Sequence, residues 1–195
     1  SSLHLHQSLH NKKNGKNIFF NKKNILSNLM KNYIGGLQEY TPKLMPIHAP
    51  NVNSYRRLFA TWDAPRNTKW GIGNRSCGFR VPSTEEISMR IENRISGSDT
   101  NPYLVFAANL AAGYLGLKNK IKPSDETKKS VFYDKKSSLP KNMEEAILLF
   151  EKDEQISEVF SQKFVRTIAA IRRVEYQAYL KVISSWEREY LLLNV

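Results

Sequence analysis

Residues 3 to 9 of the chain alternate in polarity. In an extended strand, Leu3, Leu5 and Leu9 face one way, and His4, His6 and Ser8 face the other. A polar Asn/Gly-rich loop with a short apolar insert, NKKNGKNIFFNKKN, follows. Leu26, Leu29, Met30, Tyr33, Ile34 and Leu37 then recur at spacings of three and four. This predicts an amphipathic helix ending near Gly35-Gly36 or shortly after. The next stretch, TPKLMPIHAPNVNSYRR, holds Pro42, Pro46 and Pro50 and reads as irregular or extended.

From Trp70 to Asn93 the pattern favours short strands: KWGIGNRSCGFRVP, a TEE turn, then SMRIENRI. In the last of these Arg90, Glu92 and Arg94 share one face and Met89, Ile91 and Asn93 the other. Arg75 and Arg80 are five apart and fall on opposite faces of a regular strand, unless Gly78 forms a bulge that restores the register. NPYLVFAANLAAGYLGL predicts a buried helix with Asn101 as its cap and Pro102 in its first turn. After a long polar connection, a helix is expected from about Asn142. A longer one follows from roughly Gln155 to Glu189, with Ile156, Val159, Phe160, Phe164, Ile168, Ile171 and Tyr179 near its apolar stripe. Short strands first and helices grouped toward the C-terminus make the expected class α+β.

Composition narrows this picture. With 195 residues, 41% of them hydrophobic, the chain can bury a proper core. No apolar run reaches membrane-spanning length, and the first residues lack the charged-then-apolar pattern of a secretion signal. Cys77 is the single cysteine, which excludes an intrachain disulfide framework and suits a reducing cytoplasm. The net charge of +12 invites a nucleic-acid reading, but the lysines sit mostly in loops such as NKKNGKN and DETKKS. Neither a nucleic-acid nor a membrane partner is expected.

Three polar groups carry the candidate chemistry. They are His4, His6 and Ser8 on one strand face, the arginines 56, 57, 75, 80, 90 and 94, and the carboxylates Asp63 and Glu92. Imidazole with carboxylate makes a partial shell for a divalent cation whose other ligands are phosphate oxygens. Clustered guanidiniums bind phosphate or carboxylate groups. Together they point to a metal–nucleotide site with an acidic substrate. His-x-His alone is weak evidence, and the arginines alone equally suit RNA phosphates. No GxxxxGK[ST], GxGxxG or GxSxG occurs, so any phosphate is held by side chains and a nucleophilic hydrolase is poorly supported.

The motifs LHLHQS, APNVNSYRRL, NRSCGFRVP, RIENR and NPYLVFAANLAAGYLG resemble the C-terminal half of the glutamine synthetase superfamily. WDAP, ENRISGSDTNPYL and WEREYLLLNV resemble its γ-glutamylpolyamine (glutamate–putrescine) synthetase branch. The resemblance implies an ATP-dependent carbon–nitrogen ligase that forms γ-glutamyl phosphate and lets an amine, such as putrescine, displace the phosphate. Glutamate–ammonia ligation and a non-enzymatic structural relative are the alternatives. By the same resemblance His4 and Glu92 bind Mg2+ or Mn2+, and His6, Ser8, Arg75, Arg80 and Arg90 bind ATP. Arg57 and Arg94 hold glutamate. Asp63 and Arg75 are catalytic, with Asp63 standing where glutamine synthetases carry a flap Glu. The shorter acid implies room for an amine larger than ammonia.

The resemblance makes residues 1–195 part of a catalytic domain, with antiparallel strands forming the site. The family's N-terminal β-grasp domain and the first part of its catalytic domain have no counterpart in this sequence. The family's full-length chains form stacked homo-oligomeric rings, so residues 1–195 alone are expected to be inactive. Tyr133 falls where some glutamine synthetases are adenylylated, but a loop tyrosine has a commoner surface role and no regulation is expected there.

Overall fold

The structure is a computed structural model that describes residues 2–23, 25–60, 64–134 and 137–192. The opening alternation forms β1 (Leu5–Gln7), with Leu5 and Gln7 buried and His6 exposed. The apolar insert that follows is a small antiparallel hairpin, β2 (Phe20–Asn21) and β3 (Ile25–Leu26), which seats Phe19 in the core against Tyr33. Leu26 therefore belongs to a strand. Ser27 caps α1 (Asn28–Tyr40) by accepting from the Met30 amide, and Leu29 points outward.

Gly35 and Gly36 do not end α1. They lie inside it, where α1 crosses α4 (Pro102–Lys118). A Cβ on Gly36 would overlap the Gly116 backbone, and one on Gly113 would overlap the Tyr33 ring. Here the glycines serve backbone-to-backbone approach. Asn101 caps α4 as expected, accepting from the Tyr103 and Leu104 amides, with Pro102 in the first turn.

The proline-rich stretch is helical, contrary to the sequence expectation. A 3-10 turn covers Pro42–Leu44, followed by α2 (Met45–His48) and α3 (Val52–Ala60). Pro42 and Pro46 sit in first turns, where no intrahelical N–H bond is lost. Pro50 precedes α3, whose first amides are satisfied by the Asn51 side chain. The C-terminal region holds α5 (Met143–Lys152), capped by Asn142. The single long helix expected beyond it is three: α6 (Glu154–Phe160), α7 (Gln162–Leu180) and α8 (Ser185–Tyr190). Ser161, at a φ of 73°, breaks the first join and caps α7. Ser184 and Glu187 form a capping box at the second. The buried side of α7 carries Val165 and Ala169, flanked by Phe164 and Ile168, while Ile171 stays exposed.

β4 (Trp70–Ile72), β5 (Phe79–Val81) and β6 (Ile91–Asn93) join β1 in one sheet of order β1-β6-β5-β4. β1/β6 and β6/β5 are antiparallel, whereas β5/β4 is parallel, a departure from the expected antiparallel set. Gly78 forms no bulge. It lies in the bend after Asn74–Cys77, and a Cβ there would overlap the Asn67 carbonyl. That bend re-aims the chain, so strand parity does not relate Arg75 to Arg80. The core face of the sheet presents Leu5, Phe79, Val81 and Ile91 to the core shared with α1 and α4.

Two buried amides and a histidine tie these layers together. Asn93 donates to the Asn109 side chain at 2.8 Å, and Asn109 donates to the Val105 carbonyl of α4. His48, fully buried at the end of α2, meets Ser96 Oγ at 2.9 Å, and its carbonyl accepts from the Gly97 amide. Burial lowers the His48 pKa to about 4. The unfolded chain therefore takes up a proton that the folded chain refuses between pH 6.5 and 4. Stability contributed by neutral His48 is complete above pH 6.5 and falls as the pH drops toward 4, by roughly 3 kcal/mol over that span. We expect urea midpoints measured from pH 7.5 to 4.5 to fall more steeply for the parent chain than for His48→Asn. A Gly36→Val chain should lose about 2 kcal/mol or more in the same assay at neutral pH.

Candidate active site

The register of the sheet sets three polar side chains in one row. His6 lies opposite Glu92 across β1/β6, and Arg80 lies opposite Glu92 across β5/β6. Alternation then puts all three on the face away from the core. His4, one turn of the pleat before His6, and Arg94, two residues after Glu92, join the same face.

Glu92 is the centre of this row and is only 3% exposed. Arg80 Nη1 donates to its Oε2 at 3.1 Å, and Arg94 Nη1 donates to its Oε1 at 3.4 Å. His4 Nδ1 lies 3.1 Å and His6 Nε2 3.8 Å from the same Oε1. Burial by itself would raise the Glu92 pKa; the Arg80 hydrogen bond and the Arg94 charge outweigh it and hold the carboxyl below its usual value. His4 shifts down, first through burial and then through the Arg94 charge, with Glu92 opposing. It is therefore a neutral imidazole at pH 7. Arg90 Nε donates to His6 Nδ1 at 3.1 Å, which places the His6 proton on Nε2, the nitrogen nearer Glu92.

Arg57 approaches from α3. Its Nη2 donates to the Ile95 carbonyl at 2.5 Å, and its charge reaches His4. Burial lowers the Arg57 pKa, with Asp99 opposing. Two guanidiniums thus contact one carboxylate, with Arg90 on His6 and Arg57 on the Ile95 carbonyl nearby, and the buried Nε atoms of Arg80 and Arg94 have no hydrogen-bond partner among the described residues. Such a set retains donors for an anion with several oxygens. The donors available to a cation are His4 and Glu92; among the described residues no group of three or more His, Cys, Asp or Glu is arranged to hold a metal ion. Two protein donors fit an ion that takes its remaining ligands from phosphate or water.

The structure thus gathers His4, His6, Arg80, Arg90, Glu92 and Arg94 into one cluster, with Arg57 at its margin. It does not bring in Ser8, which pairs with His10 at 3.2 Å on the exposed strand end. Arg75 is exposed on the bend between β4 and β5, with no hydrogen bond or ion pair to the described residues. Arg56 leaves the arginine series for α7, donating to Tyr179 Oη at 2.8 Å. Asp63 lies outside the described residues. The sequence reading missed Asn93, Ser96 and Asn109, which fix the strand carrying Glu92. Only Asn109 had a visible signal, a lone amide in an otherwise apolar helix.

The cluster lies on an open face, with His4 and His6 side chains 36% and 40% exposed. A cavity of about 560 Å³ lies elsewhere, between the start of α1, Trp70 and residues 120–126. Its lining holds none of the clustered residues, so cavity size is a poor guide to the chemistry here. No helix among the described residues is long and apolar enough to cross a membrane.

The family described as "Glutamine synthetase, catalytic domain" matches residues 1–191. "Type-1 glutamine synthetase 2" of Dictyostelium discoideum is 33% identical over 198 residues, covering 98% of this chain and 38% of that protein. "Gamma-glutamylputrescine synthetase PuuA" of Escherichia coli is 29% identical over 194 residues, covering 100% of this chain and 41% of that protein. A solved structure described as "GmaS/ADP complex-Conformation 1" superposes with a TM-score of 0.86 at 29% identity, covering 97% of this chain and 45% of that one. The chain spans less than half the length of each relative.

Replacing Glu92 by Gln keeps the shape and removes the negative charge that Arg80, Arg94 and His4 share. We expect this change to cost about 2–4 kcal/mol in denaturant unfolding at pH 7. Substituting the exposed Arg75 by Gln should cost less than about 0.5 kcal/mol.

Proposed function

This chain belongs to the glutamine synthetase catalytic family, and we propose that it is part of the catalytic domain of an ATP-dependent ligase joining the γ-carboxylate of glutamate to an amine. The observation that carries this reading is the row of His6, Glu92 and Arg80, flanked by His4 and Arg94. It couples a buried, ionised carboxylate to a surplus of guanidiniums, as transfer of a multiply charged phosphoryl group requires.

The proposed reaction has two steps. A γ-carboxylate oxygen of glutamate attacks the terminal phosphorus of ATP, the bond to the bridging oxygen breaks, and ADP leaves. The amine nitrogen then attacks the acyl carbon of γ-glutamyl phosphate. It loses its proton to a base, and inorganic phosphate departs with the C–O bonding pair. Arg57 and Arg94 orient glutamate, while Arg80 and Arg90 neutralise the phosphate oxygens; the family resemblance gives Arg75 the same task from outside the cluster. His6 and Ser8 lie on the nucleotide side, and Asp63 is the candidate base for the amine. His4 and Glu92 would hold Mg2+ or Mn2+, which supplies further charge neutralisation at the phosphates.

Glu92 and its arginines are preorganised before substrate arrives. The Glu92–Arg80 and Glu92–Arg94 contacts set the guanidinium planes, so little reorganisation accompanies charge development. We further propose a cytoplasmic enzyme that works as a ring-shaped homo-oligomer, on the strength of the family resemblance. The acceptor we favour is an alkyl polyamine such as putrescine, supported by WDAP and ENRISGSDTNPYL; ammonia is the other candidate.

The test is to express the complete reading frame and follow ATP-dependent phosphate release with glutamate plus ammonia, butylamine or putrescine. Release with glutamate and putrescine exceeding that with ammonia is expected. His4→Ala and Arg94→Ala should each lower kcat/KM by about a hundredfold or more. Release that does not depend on glutamate would refute the ligase reading. Faster turnover with ammonia than with any alkyl amine would correct the acceptor.

A further inference from the structure

A notch of about 250 Å³ opens beside the Glu92 cluster, lined by Asn51, Asn53, Ser54, Arg57, Ser98 and Asp99. Arg57 is the wall the two share. Its charge acts on His4 on one side, and the charge of Asp99 acts on it from the other.

The Asp99 carboxylate is held from behind. Both of its oxygens lie within reach of the buried Ser54 hydroxyl, at 2.8 and 2.9 Å. Gly97 makes that approach possible, because a Cβ there would overlap both Asp99 Oδ1 and Ser54 Oγ. Asp99 lines the notch, and Arg57 across it is the cation whose charge it shares. The other lining side chains offer amide and hydroxyl groups and, at Arg57, a guanidinium on its aliphatic stem.

We propose that this notch is the subsite for the distal ammonium of a diamine acceptor, with Asp99 as its counter-ion. The assignment rests on the ligase reading above and deepens it. A primary alkyl ammonium has a pKa near that of lysine, about 10.4, so the far end of a diamine stays charged at neutral pH while its near end reacts. That ammonium donates a charge-assisted hydrogen bond to a fixed carboxylate. An apolar tail of the same length would instead strip water from the Asn and Ser groups without replacing their hydrogen bonds. Ammonia is too small to enter the notch and the reacting position together.

The test compares putrescine with butylamine, which has the same carbon chain and no second amine. Asp99→Asn in the complete protein should lower the putrescine/butylamine ratio of kcat/KM by about tenfold or more, through KM. Asp99→Glu, which keeps the charge, should recover part of that loss. Ser54→Ala removes the support and leaves the carboxylate, so it should move the ratio less than Asp99→Asn. An unchanged ratio in Asp99→Asn would overturn the proposal. So would a KM for glutamate that rises as much as that for putrescine, which would make Asp99 a partner of the amino acid's own ammonium. An equal effect from Ser54→Ala would reduce Asp99 to a structural role and overturn it as well. Calorimetric titration of putrescine without ATP separates the two readings. Binding lost in Asp99→Asn, without turnover in the parent, supports the subsite and refutes the ligase; turnover with an unaffected ratio does the reverse.

Discussion

A buried carboxylate among guanidiniums is the constraint on which the site depends. Glu92 can lose its water only because Arg80, Arg94 and His4 stand within reach of both its oxygens. That compensation demands register. A slip of one residue in β1/β6 or β5/β6 would turn His6, Glu92 or Arg80 to the core face and leave the others as unpaired charges. Sheet pairing and electrostatics therefore specify one another, and the polar row is as much a lock on the fold as a candidate site.

The opposite face of the same strands explains why the register holds. Leu5, Phe79, Val81 and Ile91 belong to the core behind the sheet. Asn93 adds a directional tie, since its amide must meet Asn109 on α4. The tight crossing of α1 and α4 at Gly36 and Gly116 brings that helix pair in as one layer. His48 and Ser96 fasten the loop after β6 to α2, and Arg57 fastens it to α3 through the Ile95 carbonyl. Each of the short strands, three residues long, depends on these ties more than on its own ladder.

Local signals were read correctly where chemistry acts over a few residues. The alternation of LHLHQS became β1, and Asn101-Pro102 and Asn142 became helix starts. Errors arose where one residue type serves two purposes. Pro42 and Pro46 looked like breakers and instead occupy first turns, which depend on where a helix begins. Gly35-Gly36 does mark the approach of the end of α1, at Tyr40, but it also admits a second backbone, which only the position of α4 reveals. Ser161 carried no mark of a break, because a left-handed serine is set by the packing of α6 on α7 and not by preference.

The candidate site divides in the same way. Its residue types, and the shared face of Arg90, Glu92 and Arg94, were legible because strand alternation is a local rule. The sequence by itself determined an α+β chain, the helix starts at Asn101 and Asn142, the polar face of β1 and the stock of arginines, histidines and carboxylates. Only the tertiary structure decided that Arg80 meets Glu92 while Arg75 and Ser8 stand apart, that β4 runs parallel to β5, and that Asp99 and Ser54 share a notch with Arg57. The reason is physical. Alternation and capping are satisfied within a few residues, whereas an ion pair or a cavity exists only when segments far apart in the chain are brought together by a common core.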